Sequence, residues 1–347
     1  MHVIKHIPED FIVSEIPLPD LPTPGDYAIF EMKKREHTTP DAVRRLSEEM
    51  RLPLRNFGFA GNKDRNAITA QCISVFKGHK EMESIQIRGI TLVFKGYSSK
   101  NIALGDLLGN AFIITVRCMD DDAIKRIRDF EKENKGKPIL MPNYYGPQRF
   151  SSANHLIGRE IVRKDFKAAI DLVLAHDHEH SRFLEGYLKE NPSNAIGALR
   201  LLPQSTLRMY IHAYQSYLFN VMLKRVIDET KNNKLQESPI LPLIGFGTET
   251  DEYNESVQEI INTALKGEKI TQRDFISRQM PELSSEGDSR EAFFTAPDFN
   301  IQEEGDDEYF KGMKKMKVSF TLQKSCYATT LLSYALDGCS DILNHRV

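Results

Sequence analysis

The chain has 347 residues, 40% hydrophobic and 27% charged, with a formal net charge of −3 at pH 7. That length and composition suit a globular protein with more than one domain. They come with no run of about 18 apolar residues to span a membrane, and with four scattered cysteines (Cys72, Cys118, Cys326, Cys339) that form no Cys-x-x-Cys zinc site or disulfide framework and suit a reducing cytoplasm.

In chain order, the opening Met1-His-Val-Ile-Lys-His-Ile-Pro8 lacks the long apolar core of a signal peptide, so a cytoplasmic location is expected. Lys5-His-Ile-Pro8-Glu9-Asp10-Phe11-Ile-Val13 reads as a strand start with Phe11 and Val13 inward. The β-type run Tyr27-Ala-Ile-Phe-Glu-Met32 reads as a second strand. A helix is expected from Thr39 as N-cap and Pro40 at the first helical position, with Val43, Leu46 and Met50 inward and Arg44, Arg45, Glu48 and Glu49 outward. It leads to a turn bracketed by Gly58 and Gly61, where glycine lets the chain reverse sharply. Strands are expected at 68–76, 90–94 and 111–116, and an exposed charged helix at 120–135. Helices follow at 156–163, 166–175, 182–189, 195–201 and 209–227, then a polar, Gly/Pro-interrupted region over 230–305. Val318, Phe320 and Leu322 alternate as a last strand, and a helix begins near Ala328 with Leu331, Leu332 and Ala335 as its apolar side.

The most informative stretch is Gly58-Phe-Ala-Gly-Asn-Lys63-Asp64-Arg65-Asn-Ala-Ile-Thr-Ala-Gln71. It sets one carboxylate, Asp64, between two cations. Nearby positive charge favours the ionised form that a nucleophile or general base needs; read locally, it is also a charged turn before a strand. The stretch resembles the signature G-[YF]-A-G-x-K-D-[KR]-x-A-[VI]-T-x-Q of the TruD family of pseudouridine synthases, meeting every fixed position. Five further segments resemble that family. Lys5–Val13 matches K-x-x-P-E-D-F-x-V. Lys33 or Lys34 with Thr38 matches K-x-x-x-[NH]-T. Residues 101–113 match G-x-L-x-G-N-x-F. Asn143-Tyr144-Tyr145-Gly146-Pro147-Gln148-Arg149-Phe150 matches N-[YF]-[FY]-G-x-Q-R-F-G, with Ser151 at the final glycine. Val318–Thr329 matches F-x-L-x-x-G-[SC]-[YF]-A-T, with Ser325 at the glycine. Gln215-Ser216-Tyr217-Leu218-Phe219-Asn220, and Phe275 with Pro281-Glu-Leu283 and Gly287-Asp-Ser-Arg290, resemble insertion-domain segments.

The resemblance implies an α+β fold: a pseudouridine-synthase catalytic domain with a mixed, mainly antiparallel sheet, interrupted by an α-rich insertion domain. The expected boundaries are 1–157 for the first part of the catalytic domain, 158–305 for the insertion and 306–347 for the closing strand and helix, with substrate in the cleft between domains. It further implies Asp64 as the catalytic carboxylate, acting on C1′, on C6 of the base, or as a base that yields a glycal. Lys5, Phe11, Lys63, Asn143, Tyr145, Arg149 and Tyr327 are implied as substrate-binding residues, with Asn143 at the uracil edge and Phe11, Tyr145 and Tyr327 as aromatic surfaces. The implied substrate is tRNA, usually uridine 13 of the D-arm, flipped out for access. No cofactor, metal, membrane or obligate protein partner is implied.

Charge supports RNA only in part. Residues 1–150 hold 23 Lys+Arg against 20 Asp+Glu, and 151–347 hold 23 against 29. The clusters Lys33-Lys34-Arg35 and Arg44-Arg45, with Lys95, Lys100 and Arg149, are candidates for phosphate contact. Alternatives are a non-catalytic RNA-binding protein on the same scaffold, the same chemistry on another RNA, or a nucleotide hydrolase using the Gly58/Gly61 loop. The last lacks G-x-x-x-x-G-K-[ST], since Asp64 follows Lys63.

Overall fold

The computed structural model describes residues 2–18, 24–231, 239–324 and 326–337. Its elements run β1 (Phe11–Pro17), β2 (Tyr27–Arg35), α1 (Thr39–Met50), β3 (Phe57–Phe59), β4 (Ile68–Phe76), β5 (Ile90–Ser98), β6 (Leu107–Met119), α2 (Asp121–Asn134), β7 (Ile139–Pro142), α3 (Pro147–Phe150), α4 (Asn154–Val162), α5 (Phe166–His176), α6 (His178–Glu190), α7 (Ala195–Leu199), α8 (Gln204–Lys231), β8 (Ile240–Leu243), α9 (Glu255–Glu268), β9 (Asp288–Glu291), β10 (Phe293–Ala296), β11 (Phe299–Asp306), β12 (Lys314–Gln323) and α10 (Ala328–Asp337). The fold is α+β. The described residues pack as two compact units, one of residues through Met141 and from Thr295 on, the other Pro142–Phe294.

The first unit is built on an eight-stranded sheet of order β11-β12-β6-β1-β4-β2-β5, with β3 also on β4. β1 and β4 are parallel and the remaining pairs antiparallel. Strand alternation sends Phe30 and Met32 of β2 and Ile73 and Val75 of β4 to one face. There they form a core with Ala42, Val43 and Leu46 of α1. Arg44, Arg45, Glu48 and Glu49 face outward. Further along the sheet Phe320 stacks between Phe112 and Phe299, and Phe130 of α2 meets Phe299 edge-on at 5.1 Å. One rung of the sheet reads Phe299, Phe320, Phe112, Val13, Thr69, Lys34, Ile90. A lysine therefore stands in register with a row of core residues.

Two local expectations are corrected. Thr38, not Thr39, caps α1, its hydroxyl accepting the Asp41 amide. Gly58 makes no sharp turn; it sits in β3, where a Cβ would come 2.0 Å from Asn101 Oδ1 and 2.3 Å from the Ile102 carbonyl oxygen. The requirement there is close approach rather than an unusual backbone angle.

The second unit packs around α8, whose Leu207, Tyr210, Ile211, Tyr214, Leu218, Phe219, Met222, Leu223, Val226 and Ile227 are buried in its core, while Arg208, Met209, His212, Lys224 and Arg225 are exposed. α4 lies against it at Gly158, where a Cβ would meet the Tyr210 carbonyl oxygen at 2.0 Å. The expected helices are present with shifted ends. The region expected to be irregular holds α9, whose Val257, Ile260, Ile261, Ala264 and Leu265 are buried, and the paired strands β8 and β9. The units part after Met141 and after Phe294, earlier than the boundaries expected at 157 and 305. Tyr144, Ala153 and Ile157 belong to the core around α8, while β11 pairs along β12.

Candidate active site

In the first unit, the segment from Ala60 to Asn66 joins β3 to β4 and is held from below by four side chains. Thr39, at the start of α1, donates its hydroxyl to Gln71 Oε1 (2.8 Å) and accepts the Lys63 amide (2.9 Å); Gln71 Nε2 donates to the Gly61 carbonyl (2.9 Å). Lys34, only 2% exposed, donates Nζ to the carbonyls of His37 (2.7 Å), Asp64 (2.9 Å) and Lys63 (3.2 Å). Lys63 turns its ammonium inward onto Glu15 at 3.0 Å, a buried ion pair whose other carboxylate oxygen accepts the Cys72 amide. Burial pulls the Lys34 ammonium down to about 8, against the opposing pull of Asp64.

The Asp64 carboxylate is left about half exposed. The cations expected to flank it do not do so: Lys63 is on Glu15, and Arg65 donates to the Glu36 carbonyl. The cation on Asp64 is Lys5, 59 residues away in sequence, with Nζ at 2.6 Å from Oδ2. Lys5 also lies 4.1 Å over the Phe11 ring, and its carbonyl accepts from Asn66 Nδ2. Its backbone is left-handed (φ +62°), a strained conformation for a lysine. The segment bearing it is pinned on both sides. Val3 and Arg117 exchange backbone hydrogen bonds, and Asp10 accepts from the Ile7 amide while holding the buried Arg117 guanidinium at 2.8–2.9 Å. Asp307 takes a further Arg117 nitrogen at 3.2 Å.

Lys5, Phe11, Lys63 and Asp64 are thus brought together. Phe11, only 4% exposed, packs edge-on against Phe112 and offers little free ring surface. Tyr327 is partly buried at the turn into α10, its carbonyl accepting the Thr330 amide. Asn143, Tyr145 and Arg149 gather in the second unit. The Asn143 amide is engaged internally: Nδ2 donates to the Glu291 carbonyl at 3.0 Å and Oδ1 accepts from Arg290. Asn220 clamps Tyr145 by both backbone groups, and Arg149 Nε donates to Ser216 Oγ. The Tyr145 ring meets Phe219 edge-on at 5.5 Å and carries the Arg290 guanidinium at 4.2 Å. Ser151 is left-handed (φ +47°), which accounts for glycine in the family pattern.

Sequence reasoning missed Thr39, Gln71 and Glu15 as supports of the loop, and Asn220 and Arg290 around Tyr145. Of the phosphate candidates, Lys34 is buried, Lys33 and Lys95 both pair with Glu31, Arg35 with Glu9 and Arg44 with Asp41. Among the described residues Cys72, Cys118 and Cys326 form no disulfide, and burial beside Glu15 and Glu31 pushes the Cys72 thiol up to about 11. Among the described residues no group of three or more His, Cys, Asp or Glu side chains could hold a metal ion, and no helix is long and apolar enough to cross a membrane. Cys339 lies outside the described residues.

Comparison with known proteins covers nearly the whole chain. The family model of tRNA pseudouridine synthase D (TruD) matches residues 2–183, 175–238 and 228–334. The tRNA pseudouridine synthase D of Aquifex aeolicus is 31% identical, with 98% of each chain covered. A probable tRNA pseudouridine synthase D of Methanosarcina acetivorans is 30% identical over 93% of this chain and 90% of its own. The crystal structure of a TruD protein from Methanosarcina mazei superposes with a TM-score of 0.74 at 28% identity, covering 96% of this chain and 93% of that one. With its fold and its Gly58–Gln71 signature, this chain belongs to the TruD family of tRNA pseudouridine synthases.

Proposed function

We propose that this tRNA pseudouridine synthase uses Asp64 as its reactive carboxylate and acts on uridine 13 of the tRNA D-arm. The reaction breaks the N1–C1′ bond of uridine and rejoins the ring to C1′ through C5, an isomerisation that requires no group from outside the substrate. The observation that carries this reading is the half-exposed Asp64 carboxylate, held 2.6 Å from Lys5 on a loop whose own carbonyls rest on buried Lys34. Attack on C1′, addition to C6 and removal of a sugar proton all begin from the carboxylate oxygens that Asp64 presents here. Lys5 and Lys63 act here through Asp64 and its loop. Tyr145, Arg149 and Tyr327 are the side chains we assign to the RNA, with the Asn143 amide ordering the Tyr145 segment beside Arg290. On this reading residues 142–294 are the family's insertion domain and the sheet-bearing unit its catalytic domain. The test is incubation with an unmodified tRNA transcript, followed by carbodiimide treatment and primer extension. A stop marking pseudouridine at position 13 is expected. Modification elsewhere would overturn the assigned position, and no modification would overturn the activity.

A further inference from the structure

The second unit holds a cavity of about 490 Å³ lined by Lys164, Arg273, Ile276, Arg278 and Gln279, with no carboxylate in its wall. Its rim is the stretch between α9 and β9, and basic side chains fasten that stretch by its carbonyls. Lys164 donates to the Asp274 carbonyl, Arg200 to that of Gln279 (2.7 Å) and Arg208 to that of Glu282 (3.3 Å). Asp274, next in sequence to Arg273, has a carboxylate oxygen engaged by the Thr271 amide and hydroxyl. Arg273 and Arg278 are exposed, and no carboxylate among the described residues lies within ion-pair distance of either. This concentration is not a property of the unit as a whole, since residues 142–294 hold 18 Lys+Arg against 21 Asp+Glu. Two free guanidinium groups on a fastened rim suit a polyanion with repeating oxyanions, because each planar fork can donate two parallel N–H bonds to one phosphate.

We infer that this basic hollow is a phosphate-contact surface for the RNA substrate, engaging its backbone through Arg273 and Arg278. The inference rests on the tRNA reading above. It is tested by binding of an unmodified tRNA transcript to wild type, Arg273→Ala/Arg278→Ala and, as a control for lost charge, Lys167→Gln, whose ammonium is exposed and paired with Asp171. Affinity is measured across a salt series and single-turnover rate at saturating RNA. The double variant should bind about tenfold more weakly per arginine removed. Its slope of log affinity against log salt should be shallower by about one per cation, and its rate at saturation unchanged. Lys167→Gln should match wild type. If a folded double variant keeps the wild-type affinity and slope, or if Lys167→Gln falls as far, the surface is not an RNA contact, whatever the activity on tRNA. A wild type that neither binds nor modifies tRNA would overturn the functional reading and this inference with it.

Discussion

Asp64 and Lys34 divide the work at the loop: one side chain faces solvent, the other holds the backbone beneath it. Asp64→Asn and Asp64→Ala should therefore abolish pseudouridine formation in single-turnover assays while leaving circular dichroism and most RNA affinity unchanged; near-wild-type activity of Asp64→Ala would defeat the assignment. Lys34 brings a pH dependence. Burial lowers its ammonium from the ordinary 10.5 to about 8, against Asp64, which pulls upward, and with Lys63, which pushes downward. Between those values the unfolded chain binds more proton than the folded one, so this group makes stability rise with pH in that window. Activity should move the other way. A neutral amine has two N–H donors for three carbonyls, and one carbonyl then faces a lone pair. The single-turnover rate should fall above about pH 8 with no accompanying loss of thermal stability, and Lys34→Met should be slow at every pH and lack that alkaline limb. Lys34 was expected among the phosphate contacts; it turns inward because it shares one phase of β2 with Ala28, Phe30 and Met32. The Lys5–Asp64 pair was not legible, because nothing local links residues 59 positions apart.

At the scale of elements, two small residues mark where backbone geometry decides stability. Ser151 is left-handed where the family pattern carries glycine, so Ser151→Gly should be neutral or stabilising by up to about 1 kcal/mol. Gly158 separates α4 from α8 by less than a methyl group's width, so Gly158→Ala must push the helices apart, at a cost of about 2 kcal/mol or more. Thermal melts of the pair should move in opposite directions or by clearly unequal amounts. Amphipathic helices were readable because their apolar spacing is local. α9 carries the same signal, with Asn254 capping it and Val257, Ile260, Ile261, Ala264 and Leu265 buried. It was masked by the surrounding acidic and Gly/Pro-containing sequence. The four-residue strands β8 and β9 are too short to establish an alternation of their own.

For the whole molecule, the chemistry proposed needs nothing beyond protein and RNA. Dialysis against EDTA should leave the single-turnover rate unchanged, and a loss restored by one particular metal would contradict the mechanism. The fold class was legible because the signature segments recur from residue 5 to residue 329 and bracket the helical block. The limits of each compact unit were harder to read, since they depend on which core takes up Tyr144 and which strand pairs with β11.

The sheet is discontinuous in sequence, and synthesis meets this directly. β6 is complete at Met119, but its neighbour β12 begins only at Lys314, with the whole second unit between them. At ordinary translation rates β6 waits roughly ten to forty seconds for that partner. During that interval one hydrogen-bonding edge of β6 is open, alongside Phe112, Ile114 and Val116, which are buried once β12 arrives. An open apolar edge is a template for pairing with another chain. The nascent enzyme should therefore depend on chaperone shielding most strongly between the emergence of β6 and that of β12, and chains stalled within the second unit should aggregate through β6.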